Sequence, residues 1–485
     1  MACAVAANFD TSPIVNEVLG KSAEVPPGTK KTFYVREKPI LVINDNGSLY
    51  AVTGICTHYN SSLENGIYSK GRIRCPLHGA CFNVRTGDIE DYPGFDSLFS
   101  YEVKDINGDL ILNTTEKQLE NTRRTRKPTV TAVSDDVPII VVGGGVSAAS
   151  FVEHARLNGC STPITMITDD RLPPYDRVLL SKVIKNCAKN YGIKQIRDTV
   201  DFLQISQQRC GIDVDVAHRL VYLSSGESMK YSKLVLALGC AARELTIPGG
   251  NLRNVYTLRV VDEANAIAEA SIGKHVVCIG GSFIGMEIAS SLLLTAASVT
   301  VVCATEEPLP AFGPDIGRVI RHNVYGLFYY LILLLNLTKF NILIKSLKIN
   351  ICNICCHSGV EPPTEWLKNT SIEMDERGFI KVDRLFRTTA DWVYAIGDVV
   401  SAPLPLWDID SINIQHFQTA QTHGQLLGYS IVGRPFPHPV VPFFWTVLFF
   451  EFGVRFAGMF QIFLFRARNY DGSRLSLLSS SDKDG

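Results

Sequence analysis

Cys56-Thr57-His58 and, after 16 intervening residues, Cys75-Pro76-Leu77-His78-Gly79 gather two thiols and two imidazoles into two short runs. Short β-rich pieces and turn signals surround both runs, which places them at the tips of adjacent hairpins. Cys56, His58, Cys75 and His78 are therefore candidate metal ligands. Two thiolates on one iron and two neutral imidazoles on the other form the ligand set of a [2Fe–2S] centre whose potential the histidines raise. Zinc is the competitor. Its ribbons use C-x-x-C spacing and its Cys2His2 fingers carry histidines three to five apart on a helix, and neither pattern is present.

Two further constellations are backbone sites for phosphate. Ile139 to Val142 run into Gly143-Gly144-Gly145-Val146-Ser147-Ala148, a strand entering G-x-G-x-x-A. Gly143 suits the tight turn, Gly145 the approach of a pyrophosphate, and Ala148 close packing of the helix on the sheet. A second strand, Ile164 to Thr168, ends at Asp169, the position that bonds a ribose hydroxyl; Asp170 is the alternative. About 137 residues after Gly143, His275 to Ile279 run into Gly280, Ser282 and Gly285, reading G-x-S-x-x-G. Ser282 stands where a glycine usually admits the pyrophosphate. The next strand ends at Cys303, where an NADH-specific site carries Asp or Glu; Glu306 and Glu307 follow, and the 2′-hydroxyl ligand stays unassigned.

The first constellation, from Ile55-Cys56-Thr57-His58-Tyr59 to Arg74-Cys75-Pro76-Leu77-His78-Gly79-Ala80-Cys81-Phe82-Asn83 and Thr86-Gly87, resembles the Rieske ferredoxin-like family over residues 12–115. High-potential members carry an extra loop cysteine where this chain has Ser61, so the resemblance implies the lower-potential class, with Cys81 a packed thiol. Leu172 to Lys182, containing Pro174-Tyr175-Asp176-Arg177, is similar to a segment of FAD-containing ferredoxin reductases and apoptosis-inducing-factor-type flavoproteins, although Val178-Leu179 replaces the usual Pro-Pro. That likeness implies Arg177 and Lys182 near the flavin, with Lys182 close to N5. Val393-Tyr394-Ala395-Ile396-Gly397-Asp398 is similar to the second FAD fingerprint, whose Asp binds the ribityl chain. Ile414 to Ala420, with His416, resembles the helix edging the isoalloxazine ring, and Pro442 to Trp445 the aromatic strand of the C-terminal domain. The same likeness places Glu287 near the nicotinamide, paired with Lys182, which makes Lys182 and Glu287 the catalytic candidates. A Rieske module ahead of such a reductase resembles the apoptosis-inducing factor 3 (Nfrl-like) family.

Composition agrees with this size of machine. At roughly 150 residues per domain, 485 residues imply about three domains. Lys plus Arg at 47 against Asp plus Glu at 48 gives no electrostatic reason to expect nucleic acid. Thirteen cysteines without a repeating frame do not read as a disulfide lattice. The expected fold is an N-terminal all-β Rieske domain, then α/β two-Rossmann-type FAD- and NAD(P)-binding domains and a truncated α+β C-terminal domain. Boundaries are expected at 12–115 for the Rieske domain, 116–136 for a solvated linker, 137–260 and 387–438 for the two halves of the FAD domain, 261–386 for the NAD(P) domain and 439–485 for the remainder. Residues 324–358 depart from the family, read as an insert, and are expected to leave the nicotinamide sheet with an unpaired edge. Cys352, Cys355, Cys356 and His357 within them mimic a ligand run without a second ligand pair.

The expected cofactors are a [2Fe–2S] cluster and FAD with NAD(P)H, the expected activity is FAD-dependent NAD(P)H oxidoreduction, and the electron acceptor is unnamed. Hydride brings two electrons and the cluster takes one, so a flavin between them has a reason to exist. The rival readings are an apoptosis-related signalling flavoprotein with structural cofactors and a non-functional product with a disrupted nicotinamide lobe. Val324 to Leu335, the longest charge-free apolar run, is too short for a confident membrane span. The lack of Lys or Arg before Lys21 favours the cytoplasm, whereas the family resemblance implies association with mitochondria.

Overall fold

The computed structural model describes residues 12–127, 130, 136–170, 172–182, 201–204, 213–246, 250–324, 330–333, 353–356, 359–448, 452–457, 462–468 and 474–480. Two compact units divide the chain, Met1–Thr129 and Val130–Gly485.

The first unit is built on two antiparallel sheets. One has six strands in the order Ile14–Lys21, Asp109–Thr115, Ser100–Ile106, Ser48–Thr53, Lys38–Asp45, Lys30–Val35. Asn46-Gly47 and Asn107-Gly108 close two of its two-residue hairpins, with φ of 51° and 102° at the first and 55° and 86° at the second. Positive φ at both central positions is what a type I′ turn requires, and Asn-Gly tolerates it best. The other sheet is a meander of short strands, Ile67–Ser69, Arg72–Arg74, Cys81–Asn83 and Ile89–Asp91. Ile73, Phe82, Ile89 and Leu98 pack beneath it with Leu41, Ile43 and Leu63.

The stretch expected to be a linker is only partly free. Helix α1, Glu116–Glu120, is capped by Thr115 and buries Leu119 in the core of the six-stranded sheet. Arg124 bridges to Ser97 through backbone hydrogen bonds, and its guanidinium donates to the carbonyls of Leu98 and Thr86 and to Asp88. These bonds hold the basic run against the first unit, where charge alone suggested solvent.

In the second unit a five-stranded parallel sheet has the order Asp201–Gln204, Ile164–Thr168, Ile139–Val142, Lys233–Leu236, Val393–Ala395. Its last strand comes from far along the chain, so the two sequence segments assigned to the FAD domain do share one sheet. Among the described residues the α-helices of this unit are α2 (Val146–Leu157), α3 (Leu179–Lys182), α4 (Val261–Ser271), α5 (Phe283–Leu292), α6 (Gly313–Val324) and α7 (Phe417–Ser430). A second parallel sheet has the order Val255–Tyr256, Asn353–Cys356, His275–Ile279, Ser298–Cys303, Tyr330–Leu333. Residues 324–358 thus supply two of its strands, one of them internal between Val255–Tyr256 and His275–Ile279. The expectation of a sheet left incomplete by this segment is corrected: backbone pairing needs a β-competent run of suitable length, and both Tyr330–Leu333 and Asn353–Cys356 provide one. Cys352 and His357 of the mimic ligand run lie outside the described residues. Phe443–Leu448, Phe452–Ala457, Ile462–Arg468 and Arg474–Ser480 form an antiparallel sheet at the C-terminal end. Among the described residues no helix is long and apolar enough to cross a membrane.

α2 and α7 lie unusually close because glycines face the contact. A Cβ on Gly424 would sit 2.2 Å from the Ser147 carbonyl oxygen, and one on Gly428 would sit 2.6 Å from the Cβ of His154. Overpacking of this kind costs about 1–3 kcal/mol. Gly424→Ala is expected to lower the thermal midpoint by roughly 2–4 °C per kcal/mol, measured by scanning calorimetry; an unchanged midpoint contradicts the close approach. On the same helix, burial pushes His423 down to about 4, against about 6.5 in an unfolded chain. Between these values the unfolded chain binds a proton that the folded one refuses, so stability falls as pH drops from about 6.5 toward 4. His423→Gln is expected to recover on the order of 1–2 kcal/mol at pH 5 relative to pH 7, read from urea unfolding at the two values.

Candidate functional site

The first unit offers two loops with one design. In each, the cysteine carbonyl accepts from the N–H four residues on, Asn60 N–H for Cys56 and Gly79 N–H for Cys75, at 3.0 and 3.2 Å. In each, the cysteine N–H donates to the carbonyl five residues on, Ser61 and Ala80, both at 2.8 Å. Asn60 and Gly79 take positive φ, 55° and 83°, which lets the chain reverse. The reversals turn the side chains of both runs toward one another.

Cys56, Cys75 and His78 are buried and His58 is half-buried. The two thiols are hydrogen-bonded to each other, and the two imidazole Nδ1 atoms stand 3.1 Å apart. The donors therefore face one another by type, sulfur with sulfur and nitrogen with nitrogen. Among the described residues no group of three or more His, Cys, Asp or Glu is drawn around one ion position. A two-iron cluster asks for two like pairs rather than for four ligands on one point, so the donor set suits it better than zinc. The thiol of Cys75 is pushed down to about 6 by its hydrogen bond with Cys56, helped by the N–H groups of Leu77 and His78 and the hydroxyl of Ser61, while Cys56 is pushed up. Donors aimed at a sulfur stabilise its thiolate and raise the potential of a cluster bound there. Ser61 is a residue that sequence reasoning noted only as a missing cysteine; its role depends on a contact across the two loops. Tyr59, ringed with His58 and His78 at centroid distances of 4.0 and 5.3 Å, is partly exposed beside them.

In the second unit the two glycine turns are near copies. Gly143 and Gly280 have φ of 118° and 115°, and the N-caps of α2 and α5, Gly145 and Ser282, both sit near φ −87° with ψ −174°. A Cβ on Gly143 would collide with the Ala237 carbonyl at 2.1 Å, and one on Gly285 with the Gly280 carbonyl at 2.0 Å, so both positions need glycine for internal reasons. A Cβ on Gly145 would meet nothing within 4 Å. Its backbone conformation tolerates any residue, so the open space in front of it is a cradle for a ligand. Ser282, exposed at the equivalent point, narrows the second cradle without distorting it. Gly281 was not singled out by sequence reasoning, yet its Cβ would fall 2.1 Å from Cys303 Sγ.

Other sequence-derived residues take the following places. Ala148 is fully buried under the sheet. Asp169 lies exposed just past its strand, while Asp170 is bound by Arg177 at 3.0 Å. Arg177 also donates to the Arg259 carbonyl and stacks over Tyr175. Gly397, at φ 82°, packs on Ser147. Asp398 is half-buried, with its Oδ1 buried and without a hydrogen-bond partner among the described residues, and burial pushes the carboxyl up against the opposing charges of Arg259 and Arg177. An orphaned buried acceptor costs about 1–3 kcal/mol; a hydroxyl-bearing chain such as a ribityl group answers it. The residues present therefore fit FAD at both ends of a pocket, a pyrophosphate cradle at Gly145 and a diol acceptor at Asp398.

Glu287 on α5 accepts hydrogen bonds from Lys182 and Ser181 of α3 and from Thr446 of the C-terminal sheet. Lys182 also lies 4.7 Å from the centroid of the Trp445 ring. Phe444 packs at 4.1 Å from Phe283 and 5.1 Å from His416. His416 caps α7 by accepting from the Gln418 N–H, and burial, with the nearby Lys182 charge, pushes it down to about 3. Sequence reasoning paired Lys182 with Glu287, gave no individual role to Ser181, Phe283 or Phe444 and missed Thr446; the contacts of these residues with Glu287 and with one another arise only when the chain returns.

The two glycine contexts predict opposite behaviour of one substitution. Gly145→Ala is expected to leave the apoprotein's unfolding midpoint within about 2 °C, because nothing inside the protein meets the methyl, and to weaken FAD binding at least tenfold, about 1.4 kcal/mol. Fluorescence titration of flavin onto apoprotein measures it; equal affinity for variant and parent shows that the cradle is not used.

Comparison with known proteins agrees with this layout. Residues 16–102 match the Rieske [2Fe–2S] domain, and residues 137–325 and 341–424 match the pyridine nucleotide-disulphide oxidoreductase family. Only residues 326–340 interrupt the second match, so the likeness resumes well before Gly359. Apoptosis-inducing factor 3 of Mus musculus is 32% identical over 446 residues, covering 86% of this chain and 72% of that protein. Rubredoxin-NAD(+) reductase of Ectopseudomonas oleovorans is 26% identical over 325 residues, 64% of this chain and 84% of that one. The crystal structure of the covalent putidaredoxin reductase–putidaredoxin complex shares the fold with a TM-score of 0.61 at 18% identity, covering 72% of this chain and 88% of that one. Conserved architecture and site chemistry together assign the chain to the pyridine nucleotide-disulphide oxidoreductases that carry a Rieske [2Fe–2S] domain, the family of apoptosis-inducing factor 3, as an FAD-dependent NAD(P)H oxidoreductase.

Proposed function

We propose that the chain carries electrons from NAD(P)H by way of FAD to a [2Fe–2S] cluster held by Cys56, His58, Cys75 and His78, and from there to a separate acceptor. The observation that supports this most is the presence in one polypeptide of both like-paired iron ligands and the Lys182–Glu287 pocket. FAD, held at Gly143, Gly145, Asp169 and Asp398, supplies exchange between two-electron and one-electron chemistry when bound.

The chain's own groups do the rest. Glu287 and the Trp445 ring hold the Nζ of Lys182 in one place in the pocket. Ser181 and Thr446 occupy two further acceptor sites of Glu287, one on each oxygen, which stops the carboxylate from turning away from Lys182. His416 stays neutral across the physiological range and serves as a helix cap and an apolar wall rather than a proton donor. Phe283, Phe312 and Phe444 pack together beside it and exclude water from that side. On the first unit, His58 is the more accessible imidazole and marks the edge where an acceptor reaches the cluster. Association with mitochondria is part of the same reading, supported by the likeness to apoptosis-inducing factor 3 alone.

Anaerobic addition of NADH or NADPH to the full-length holoprotein is expected to bleach the flavin absorbance and then produce the paramagnetic signal of a reduced Rieske centre. Cys75→Ser is expected to abolish that signal while flavin bleaching continues. A cluster that stays oxidised beside a fully reduced flavin overturns the relay, and cofactor binding with no bleaching by either nucleotide favours a structural role for the flavin.

A further inference from the structure

We propose that this chain uses NADPH about as readily as NADH, because the thiol of Cys303 replaces the carboxylate that would reject a 2′-phosphate and Arg318 stands beside the same loop. The inference deepens the proposed function and rests on NAD(P)H being the electron donor.

In doubly wound sheets a dinucleotide lies outside the carboxyl ends of the strands. An acidic residue at the end of the second strand bonds the ribose 2′-hydroxyl and repels a phosphate there, whereas a nearby arginine accommodates the phosphate. Here the first strand, His275–Ile279, leads into the Gly280–Ser282 turn, and its parallel neighbour Ser298–Cys303 ends on Cys303. The sulfur of Cys303 backs directly onto that turn, as the clash of a Cβ on Gly281 shows, so Cys303 occupies the discriminating position. Its thiol is buried and pushed up to about 12 by that burial and by the charge of Glu307. It is neutral at physiological pH and repels no phosphate.

The acids downstream do not restore the missing charge in a free form. Glu307 is buried and gripped by Arg321 through two hydrogen bonds of 2.8 and 3.0 Å, with Arg318 Nε at 4.0 Å. A carboxylate held in a bidentate pair does not turn to a ribose without giving up two charge-assisted hydrogen bonds. Its backbone carbonyl is occupied too, by the hydroxyl of exposed Thr305 at 2.7 Å. Arg318, by contrast, is 56% exposed, and its other partner is the solvent-exposed Asp315 at 3.5 Å. Such a pair contributes little, so Arg318 is free to exchange it for a phosphate. Glu306 is the one other acid of this loop; it is exposed and is the rival ligand for the 2′-hydroxyl.

The test uses the full-length holoprotein. Values of kcat/KM for NADH and NADPH are measured beside calorimetric titration of adenosine 2′,5′-bisphosphate and of 5′-AMP, which needs no turnover. The expected kcat/KM values lie within about tenfold of each other, or about 1.4 kcal/mol, and the bisphosphate binds more tightly than AMP. Arg318→Ala is expected to remove that preference and to lower the NADPH-to-NADH ratio about tenfold; Cys303→Asp is expected to lower the ratio further. If Cys303→Asp fails to retain flavin, the surface variant and the titration still decide. A parent enzyme favouring NADH more than a hundredfold, a bisphosphate bound no better than AMP, or a tenfold loss of NADH use in Glu306→Gln overturns the proposal. Oxidation of neither nucleotide defeats the donor assignment instead, and the titration then judges the phosphate site alone.

Discussion

Glu287, carried on α5, accepts hydrogen bonds from two remote parts of the chain: Lys182 and Ser181 on α3, and Thr446 on the C-terminal sheet. A buried carboxylate is costly unless a counter-charge and further donors satisfy it. Here the counter-charge and one donor come from α3 and the other donor from the C-terminal sheet, so neither segment shifts alone without leaving the carboxylate under-satisfied. The apolar core tells the same story. Tyr175 and Leu180 from the α3 region and Leu448 from the last sheet pack into one cluster with Met286, Ile288 and Val301. The pocket is thus the place where the α3 region, α5 with the sheet that contains His275–Ile279, and the C-terminal sheet are fastened together.

The first unit uses a different economy of means. Its two ligand loops are short, so each fixes its cysteine by two backbone hydrogen bonds and one residue of positive φ. Pairing thiol with thiol and imidazole with imidazole then follows from the meander that sets the loops side by side, with Ile73, Phe82 and Leu98 packed under them. Ser61 and the N–H groups of Leu77 and His78 point at Cys75 and stabilise its thiolate form. The same small unit holds part of the basic run that follows it, because Arg124 satisfies two carbonyls and the Asp88 carboxylate rather than water.

Much of this was legible beforehand because it depends on local chemistry. Gly143, Gly145, Gly280 and Gly285 announced turns whose geometry the backbone repeats almost to the degree, and Asn46-Gly47 and Asn107-Gly108 announced hairpins whose φ values leave few alternatives. The segment 324–358 was misjudged for a physical reason. Its leucine- and asparagine-rich composition hides a likeness that is interrupted only at residues 326–340, and a parallel strand is recruited by an available sheet edge rather than by a short local motif.

The sequence by itself determined which residue types could hold iron, cradle a pyrophosphate and form the Lys182–Glu287 pair, since those follow from side-chain chemistry at short spacing. Tertiary structure alone decided that Glu307 is committed to Arg321, that Asp398 keeps an unanswered buried oxygen, and that Ser181 and Thr446 hold Glu287. Each of those outcomes joins groups distant in the chain or depends on burial, and both arise only when packing removes water and brings remote segments within hydrogen-bond reach.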